Sequence, residues 1–558
     1  MQKRFVFLLI GVVLTHSLPA QIPGKSYQNG MVVCAYPDAS KVGLDILKKG
    51  GNAVDAAVAV QFALAVVHPS AGNIGGGGFM VYRAATGLTG TLDFREKAPS
   101  ASSANMYLDA AGNIINNMSL ATPAASGVPG SVDGMVSAHK KFGKLPWATL
   151  VQPAINLAAN GFKVTDRLAN ELNSTRNTFI KSNPGKNYLL KATNWVAGDI
   201  LVQADLAKTL QLIRDKGRAG FYAGKTADAI VAEMKTGNGL ISKADLASYH
   251  SIWRKPITGR YKDYTIITMP PPSSGGIALM QLLKSVEKYP LRRWGFNADS
   301  TVQLMVEAER RVYADRSKYL GDPDFYKVPV DSLLQTTYIK KRMSNFSWDT
   351  ATPSSSIQPG IFKGYESDQT THFSIVDKAG NAVAITTTLN GSYGSKIFVG
   401  GGGFLLNNEM DDFSSKPGIP NMYGLIGGKA NSIQPGKRML SSMTPTIVAK
   451  NGKLFMVVGT PGGSTIITSV YQTILNVIEF DMEVQQAVSA KRFHHQWLPE
   501  QVDSERGALS TDTRIKLEKK GYLIKDNSVI GRVDAILKTG KGYSGGADPR
   551  GDDAAMGW

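Results

Sequence analysis

An α/β fold of stacked helix, sheet, sheet and helix layers is the class this sequence predicts, and three stretches predict it. Residues 40–67 read as a pair of helices broken at Gly50-Gly51-Asn52, with Ala-rich apolar spacing from Ala53 to Val67. Residues 145–335 read as mainly helical, with recurrent Gly and Pro breaks. After residue 370 the pattern turns to strands, at 371–377, 381–389, 445–450 and 454–459. A helix follows at 465–480, with Ile466, Val470, Ile474 and Ile478 on one stripe. Two sheets sandwiched between helices accommodate this order of elements.

With 558 residues, 43% of them hydrophobic and 19% charged, the chain has ample material for a core. Its first twenty residues look like a secretory signal. A basic Met1-Gln-Lys-Arg4 precedes an apolar run from Phe5 to Leu14, and Ser17-Leu-Pro-Ala20 supplies a small residue at the cut. The apolar run is too short to span a bilayer, no cysteine stands near the cut to carry a lipid, and no later stretch has membrane length. The expectation is an exported, periplasmic or secreted protein without a membrane anchor. The single cysteine, Cys34, rules out an intrachain disulfide, and its setting in Met31-Val-Val-Cys-Ala35 is that of a buried, inert thiol. The net charge of +18 lies mostly before residue 370, where 42 Lys and Arg face 27 Asp and Glu. It forms no basic run with interleaved aromatics, so it reads as a solvated surface and not a nucleic-acid site.

Residues 349–369 are polar and rich in Ser, Thr and Pro, and read as an exposed flexible segment that ends against Thr370. From there two strand-like runs flank a Gly-containing loop at Lys378-Ala-Gly380, a β-hairpin signal. If Asp377 faces Asn381, the antiparallel ladder runs back to set Thr370 opposite Thr388. Alternation then places Thr386, Thr388 and Asn390 on one face, away from Val383, Ile385 and Leu389. Hydroxyls gathered around a threonine at a strand start can make it a nucleophile, since a cut before it frees an α-amine that serves as its own base. Thr387 points to the other face, so Thr387→Val is expected to be nearly silent where Thr388→Val is not.

Gly462 and Gly463 lie between a strand and the start of a helix, where backbone N–H groups free of Cβ bulk suit an oxyanion hole or simply a tight turn. No Lys follows, which removes a phosphate loop. Gly542-Tyr-Ser-Gly-Gly546 matches a serine nucleophile elbow, but the last histidine, His495, precedes Ser544, and that mechanism needs one after it. The seven histidines show no metal-ligand spacing, and no metal or cofactor is expected.

Short motifs throughout the chain then combine. Gln369-Thr-Thr-His-Phe-Ser374, Leu405-Leu-Asn-Asn-Glu-Met-Asp-Asp-Phe413, Leu440-Ser-Ser-Met-Thr-Pro445 and Gly459-Thr-Pro-Gly-Gly-Ser464 occur in order. Before them stand Gly72-Asn-Ile-Gly-Gly-Gly-Gly-Phe79, Asp93-Phe-Arg-Glu96, Pro271-Pro-Ser-Ser-Gly-Gly276, Asp315-Arg316 and Gly321-Asp-Pro323, and after them Arg492-Phe-His-His-Gln-Trp497. Together they resemble the γ-glutamyltransferase (glutathione hydrolase) family of N-terminal-nucleophile hydrolases, over nearly all of the chain past its first few dozen residues.

The resemblance implies a four-layer αββα sandwich as one interlocked unit, made as a precursor and cut by its own threonine between Gln369 and Thr370. Residues 21–369 and 370–558 would stay together as a pair of fragments. Thr370 is then the nucleophile, Thr388 its hydrogen-bond partner, and Gly462 with Gly463 the oxyanion hole. A γ-glutamyl group carries an α-carboxylate and an α-ammonium. The resemblance gives Arg95, Ser441 and Ser442 to the first, and Asn390, Glu409 and Asp412 to the second, at two ends of a pocket. It also makes Pro417–Gly428 a lid with Tyr423 at its tip, and His494-His495 a structural motif. The implied substrates are glutathione and other γ-glutamyl amides, with water, amino acids or short peptides as acceptors. Two alternatives stand beside this reading: a sibling acylase of glutaryl or cephalosporin type, and a non-enzymatic γ-glutamyl-peptide-binding module. The ammonium acceptors Glu409 and Asp412 count against the acylase, because a glutaryl group has no α-amine.

Overall fold

Among the described residues, fourteen strands form two seven-stranded antiparallel sheets, and both draw strands from either side of residue 370. The computed structural model describes residues 26–186, 188–357, 370–414, 428–527 and 529–558. In chain order the strands are β1 (Ser26–Tyr27), β2 (Met31–Cys34), β3 (Gly77–Arg83), β4 (Thr89–Phe94), β5 (Ile252–Arg254), β6 (Ile257–Tyr261) and β7 (Tyr264–Thr268). Then follow β8 (Thr370–Val376), β9 (Ala382–Thr388), β10 (Thr446–Lys450), β11 (Lys453–Gly459), β12 (Asp534–Thr539), β13 (Gly542–Gly546) and β14 (Ala554–Gly557). One sheet runs β1-β13-β12-β11-β10-β7-β6 and the other β14-β2-β8-β9-β3-β4-β5.

Helices close both outer faces. On the second sheet lie α1 (Pro37–Lys48) and α2 (Ala53–Val67), separated at the Gly50-Gly51-Asn52 break. Asn52 caps α2, accepting from the N–H groups of Val54 and Asp55 while Asp55 accepts from Asn52 N–H, a reciprocal capping box. Every residue of α2 is buried; its alanines let it lie close between the sheet and the outer helices. On the first sheet lie α3 (Gly275–Val286) and α5 (Thr465–Ile478), and α4 (Asp299–Tyr319) packs on α3.

Alternation divides the β8–β9 hairpin cleanly. Phe373, Ile375, Val383 and Ile385 join the core beneath α1 and α2, whereas Val376, Ala382 and Ala384 join Ile267, Ile447 and Val457 between the sheets. The layers are therefore helix, sheet, sheet, helix, as expected. The ladder pairs Thr370 with Thr388, Thr371 with Thr387 and His372 with Thr386, and Asp377 N–H donates to Asn381 O.

Two expectations change, the helical stretch and the exposed segment, while Ser544 and Cys34 stand as expected. The mainly helical stretch before residue 335 contains β5, β6 and β7, which form an edge of each sheet. Part of the segment expected to be exposed is packed: Ser354 and Ile357 are buried, and the indole N–H of Trp497 donates to Ser354 O. Residues 358–369 lie outside the described residues. Ser544, in the elbow-like motif, sits within β13 and faces Leu537 across the sheet, with no strand-to-helix turn to expose it. Cys34 is fully buried in β2, and burial pushes its thiol up to about 12.

Candidate active site

The hairpin face that looks between the sheets begins with Thr370, 7% exposed. Its hydroxyl donates to Thr388 Oγ1 across the ladder at 3.4 Å, a length that leaves the contact loose. Thr388 Oγ1 is held in turn by Asn390 N–H at 2.8 Å. Asn390 adopts φ +73°, a left-handed turn that asparagine tolerates, and its side-chain amide donates to Asn408 O. The strand end is pinned from the other side by Asn73, whose amide donates to Thr388 O at 2.9 Å and Thr387 Oγ1 at 3.1 Å. That accounts for the glycines after Asn73: a Cβ at Gly76 would come within 2.0 Å of Thr388 O.

Below this face, His372 Nδ1 meets Thr386 Oγ1 at 2.8 Å and Nε2 meets Ser374 Oγ at 3.0 Å. Burial drives this imidazole down to about 3, so it stays neutral in the ladder.

Arg95 follows β4 directly. Its backbone is fixed by N–H donation to Asp93 Oδ1, and Asp93 is itself held by Arg254 and Arg438. The buried guanidinium reaches Glu409 at 2.5 Å and also pairs with Asp412, while Glu96 stands 3.5 Å away. Glu409 and Asp412 begin and end one 3₁₀ turn, whose three-residue period aims both carboxylates the same way. Burial raises all three carboxyls against the pull of Arg95, Glu96 to about 7 and Glu409 well above the ordinary range. Burial also opposes the charge on Arg95, but the three carboxylates outweigh it and hold the guanidinium ionised.

Arg95, expected at one end of a pocket, and Glu409 and Asp412, expected at the other, are thus in contact as one charge cluster.

Ser441 and Ser442 complete this wall. Ser274 donates through its N–H and hydroxyl to Ser441 O, and Arg316 joins Ser274 Oγ at 2.9 Å to Ser442 Oγ at 2.8 Å. Arg316 also draws the Asp412 carboxyl downward. Glu96, Arg316, Ser274 and Asn73 were given no role in the sequence, although each stood inside a recognised motif.

At the start of α5, Gly462 has φ +132° and Gly463 +55°, conformations that side chains resist. Gly462 O accepts from Thr465 N–H, and neither glycine N–H is engaged by a hydrogen bond among the described residues. Gly463 borders a cavity of about 20 Å³ together with Thr370, Thr388 and Asn390; Arg95, Glu409, Asp412, Ser441 and Ser442 close it. Gly462 borders a second cavity, of about 160 Å³, that Thr370 also lines. Gln369 and Tyr423, with the expected lid up to residue 427, lie outside the described residues. Among the described residues no group of three or more His, Cys, Asp or Glu is placed to hold a metal ion, and no helix is long and apolar enough to cross a membrane. His494 is buried and meets Thr468 Oγ1 at 2.8 Å and Gln496 Oε1 at 3.0 Å.

Comparison with known proteins gives a family and a fold. A family model described as gamma-glutamyltranspeptidase matches residues 39–558. The glutathione hydrolase proenzyme of Escherichia coli K12 is 48% identical over 95% of this chain and 92% of its own length. Among solved structures, cephalosporin acylase from Bacillus halodurans superposes with TM-score 0.85 at 26% identity over 99% of both chains. The Helicobacter pylori gamma-glutamyltranspeptidase matches at TM-score 0.59 and 47% identity, over 61% of this chain and 97% of that one.

Proposed function

The chain belongs to the γ-glutamyltranspeptidase family, and on that premise we propose that Thr370 is the nucleophile of an enzyme that hydrolyses and transfers γ-glutamyl groups. Glutathione and related γ-glutamyl amides are its donors. The chain is made as an exported precursor whose first twenty residues are removed. It cuts itself between Gln369 and Thr370, and residues 21–369 and 370–558 stay paired through their shared sheets.

The observation that carries this reading is the Thr370–Thr388 pair bordering one cavity with Arg95, which is ion-paired to Glu409 and Asp412. A γ-glutamyl group exchanges partners with that cluster. Its carboxylate takes the Arg95 fork, with Ser441 and Ser442 beside it, and its ammonium takes Glu409, Asp412 and Asn390. Charges are replaced by like charges, so the buried cluster is never left uncompensated. With the α-carbon fixed, the γ-carbonyl reaches Thr370 Oγ. The freed α-amine of Thr370 accepts the hydroxyl proton as the oxygen attacks, and the N–H groups of Gly462 and Gly463 take the oxyanion. The proton passes to the leaving amine, the C–N bond breaks, and an ester remains on Thr370. Water or an acceptor amine then releases it.

Incubation of the processed protein with glutathione, with and without a dipeptide acceptor, tests this. Free glutamate is expected in the first case and a γ-glutamyl dipeptide in addition in the second. Faster cleavage of a glutaryl amide than of the matching γ-glutamyl amide would contradict it.

A further inference from the structure

Ser441 and Ser442 serve a carboxylate only if their single protons point at it. A hydroxyl has one proton and two lone pairs, so whatever donates to the oxygen decides where that proton goes. Ser441 Oγ accepts from Met443 N–H at 3.2 Å, and Ser442 Oγ accepts from Arg316 Nη2 at 2.8 Å. One hydroxyl is thus set by its own local backbone, the other by an arginine 126 residues earlier in the chain.

Arg316 stands buried in the last turn of α4. Nε and Nη2 share one edge of its planar guanidinium, and they hold two different hydroxyls. Nε donates to Ser274 Oγ at 2.9 Å, and Ser274 Oγ in turn donates to Ser441 O at 2.8 Å. Ser274 N–H reaches the same carbonyl at 2.7 Å, and Ser441 N–H donates to Pro272 O at 3.0 Å. The turn lies this close because Gly275 has no side chain: a Cβ there would come within 2.1 Å of Thr444 Oγ1. One guanidinium therefore fixes the backbone of Ser441 through Ser274, and the hydroxyl of Ser442 directly. Arg316 and Ser274 precede residue 370 whereas Ser441 and Ser442 follow it, so the bridge crosses from one side of the proposed cut to the other.

We propose that Arg316 is a positioning residue for the donor's α-carboxylate, holding the Ser442 hydroxyl with its proton towards that group and, through Ser274, keeping Ser441 beside it. Arg316 does not touch the carboxylate, which takes the Arg95 fork. By donating to Ser442 Oγ it occupies a lone pair that would otherwise face the carboxylate oxygens, and it polarises the O–H so that it donates more strongly. A serine without this partner would keep its rotamers and the rotation of its proton, and the entropy of fixing both would be charged to substrate binding. Lysine cannot replace the arginine, because one ammonium on a flexible stem does not present two coplanar donors to Ser274 and Ser442. It would keep a positive charge near Asp412, so substitution by lysine separates the bridge from the charge.

This inference rests on the γ-glutamyl reading. Its test uses two donors, a γ-glutamyl anilide and the same compound with its α-carboxylate amidated. The two-fragment pattern on a denaturing gel verifies that each variant has folded and matured. The wild type should cleave the free-carboxylate donor with the higher kcat/KM. Arg316→Lys should cut that preference by about tenfold, the scale of one charge-assisted hydrogen bond, with the loss in KM and kcat little changed. In a Ser442→Ala background the same substitution should cost markedly less, because the hydroxyl it orients is gone. Ser274→Ala should act in the same direction and more weakly, and it is the variant read if Arg316→Lys does not mature. An undiminished preference in the matured variant, or an equal loss with and without Ser442, would overturn the positioning role and leave the γ-glutamyl reading intact. Equal cleavage of both donors by the wild type would overturn that role together with the placement of the α-carboxylate. Cleavage of neither donor would overturn the γ-glutamyl reading as well.

Discussion

Thr370 and Thr388 share one face of the β8–β9 hairpin, and Thr371 with Thr387 share the other, one residue away in each strand. All four are buried. The first pair opens on the space between the sheets, beside the charge cluster and the glycines at the start of α5. The second faces α2, where Thr387 Oγ1 donates to Gly77 O and accepts from Asn73 and Gln61, while Thr371 Oγ1 has no hydrogen-bond partner among the described residues. On the proposed function, identical side chains in one hairpin divide into chemistry and scaffolding. What separates them is register, because a slip of one residue exchanges the faces.

The largest effect comes from removing the hydroxyl of Thr370. Thr370→Ala should leave a folded, uncut chain, with turnover reduced by on the order of 10³-fold or more. Thr371→Val replaces an unpaired buried hydroxyl by a methyl and should be neutral or slightly stabilising, with both fragments and activity retained. Gel analysis and a glutathione assay read both variants.

Next is Arg95, on which Glu409, Asp412 and Glu96 converge on the same side. Arg95→Gln should weaken γ-glutamyl binding by roughly ten- to a hundred-fold, the scale of about 1.5–3 kcal/mol for a charge-assisted bond. It should hurt a donor with a free α-carboxylate more than one in which that group is amidated. Equal losses on the two donors would mean that Arg95 does not bind the carboxylate.

Smaller still is the contrast between Thr388 and Thr387. Thr388→Val should slow self-cleavage and turnover with little loss of stability, and Thr388→Ser should retain much of both. Thr387→Val, expected from the sequence to be nearly silent, leaves buried donors on Asn73 and Gln61 without their shared acceptor. It should lower stability by about 1–3 kcal/mol in a denaturant melt while kcat of the folded enzyme stays close to wild type. The alternation gave the direction of Thr387 correctly but not what lay in that direction, since Gln61 and Asn73 come from more than three hundred residues away.

That limit recurs. The hairpin was legible because its pairing is local and its loop fixes the register. The α1–α2 break was legible because Asn52 and the glycines punctuate it. Strands β3 and β4 were not singled out: a short apolar run such as Gly77–Arg83, buried on both faces, has no alternation to betray it. Strands β5 to β7 were hidden between long helical stretches. In the site, the motifs named Arg95, Glu409 and Asp412, but the sequence could not state that they touch. The roles of Glu96 and Arg316 exist only once the sheets bring their partners to them.

The weakest expected effect is a pH dependence confined to the cavity side. Burial holds Glu96 near 7, above its ordinary 4.5, so the fold favours its neutral form. The stability this contributes is fully present below about pH 4.5 and is lost as pH rises through about 7, an effect on the order of 1–3 kcal/mol. The melting temperature of the free enzyme should fall over that interval, and Glu96→Gln should flatten the decline. An unchanged slope in the variant would remove Glu96 as its source.

The N-terminal sequence of the smaller fragment tests the placement of the nucleophile most directly. Cleavage by Thr370 predicts a fragment that begins Thr-Thr-His-Phe. A fragment that begins at Thr371 or elsewhere, or an active enzyme that remains a single uncut chain, would contradict it.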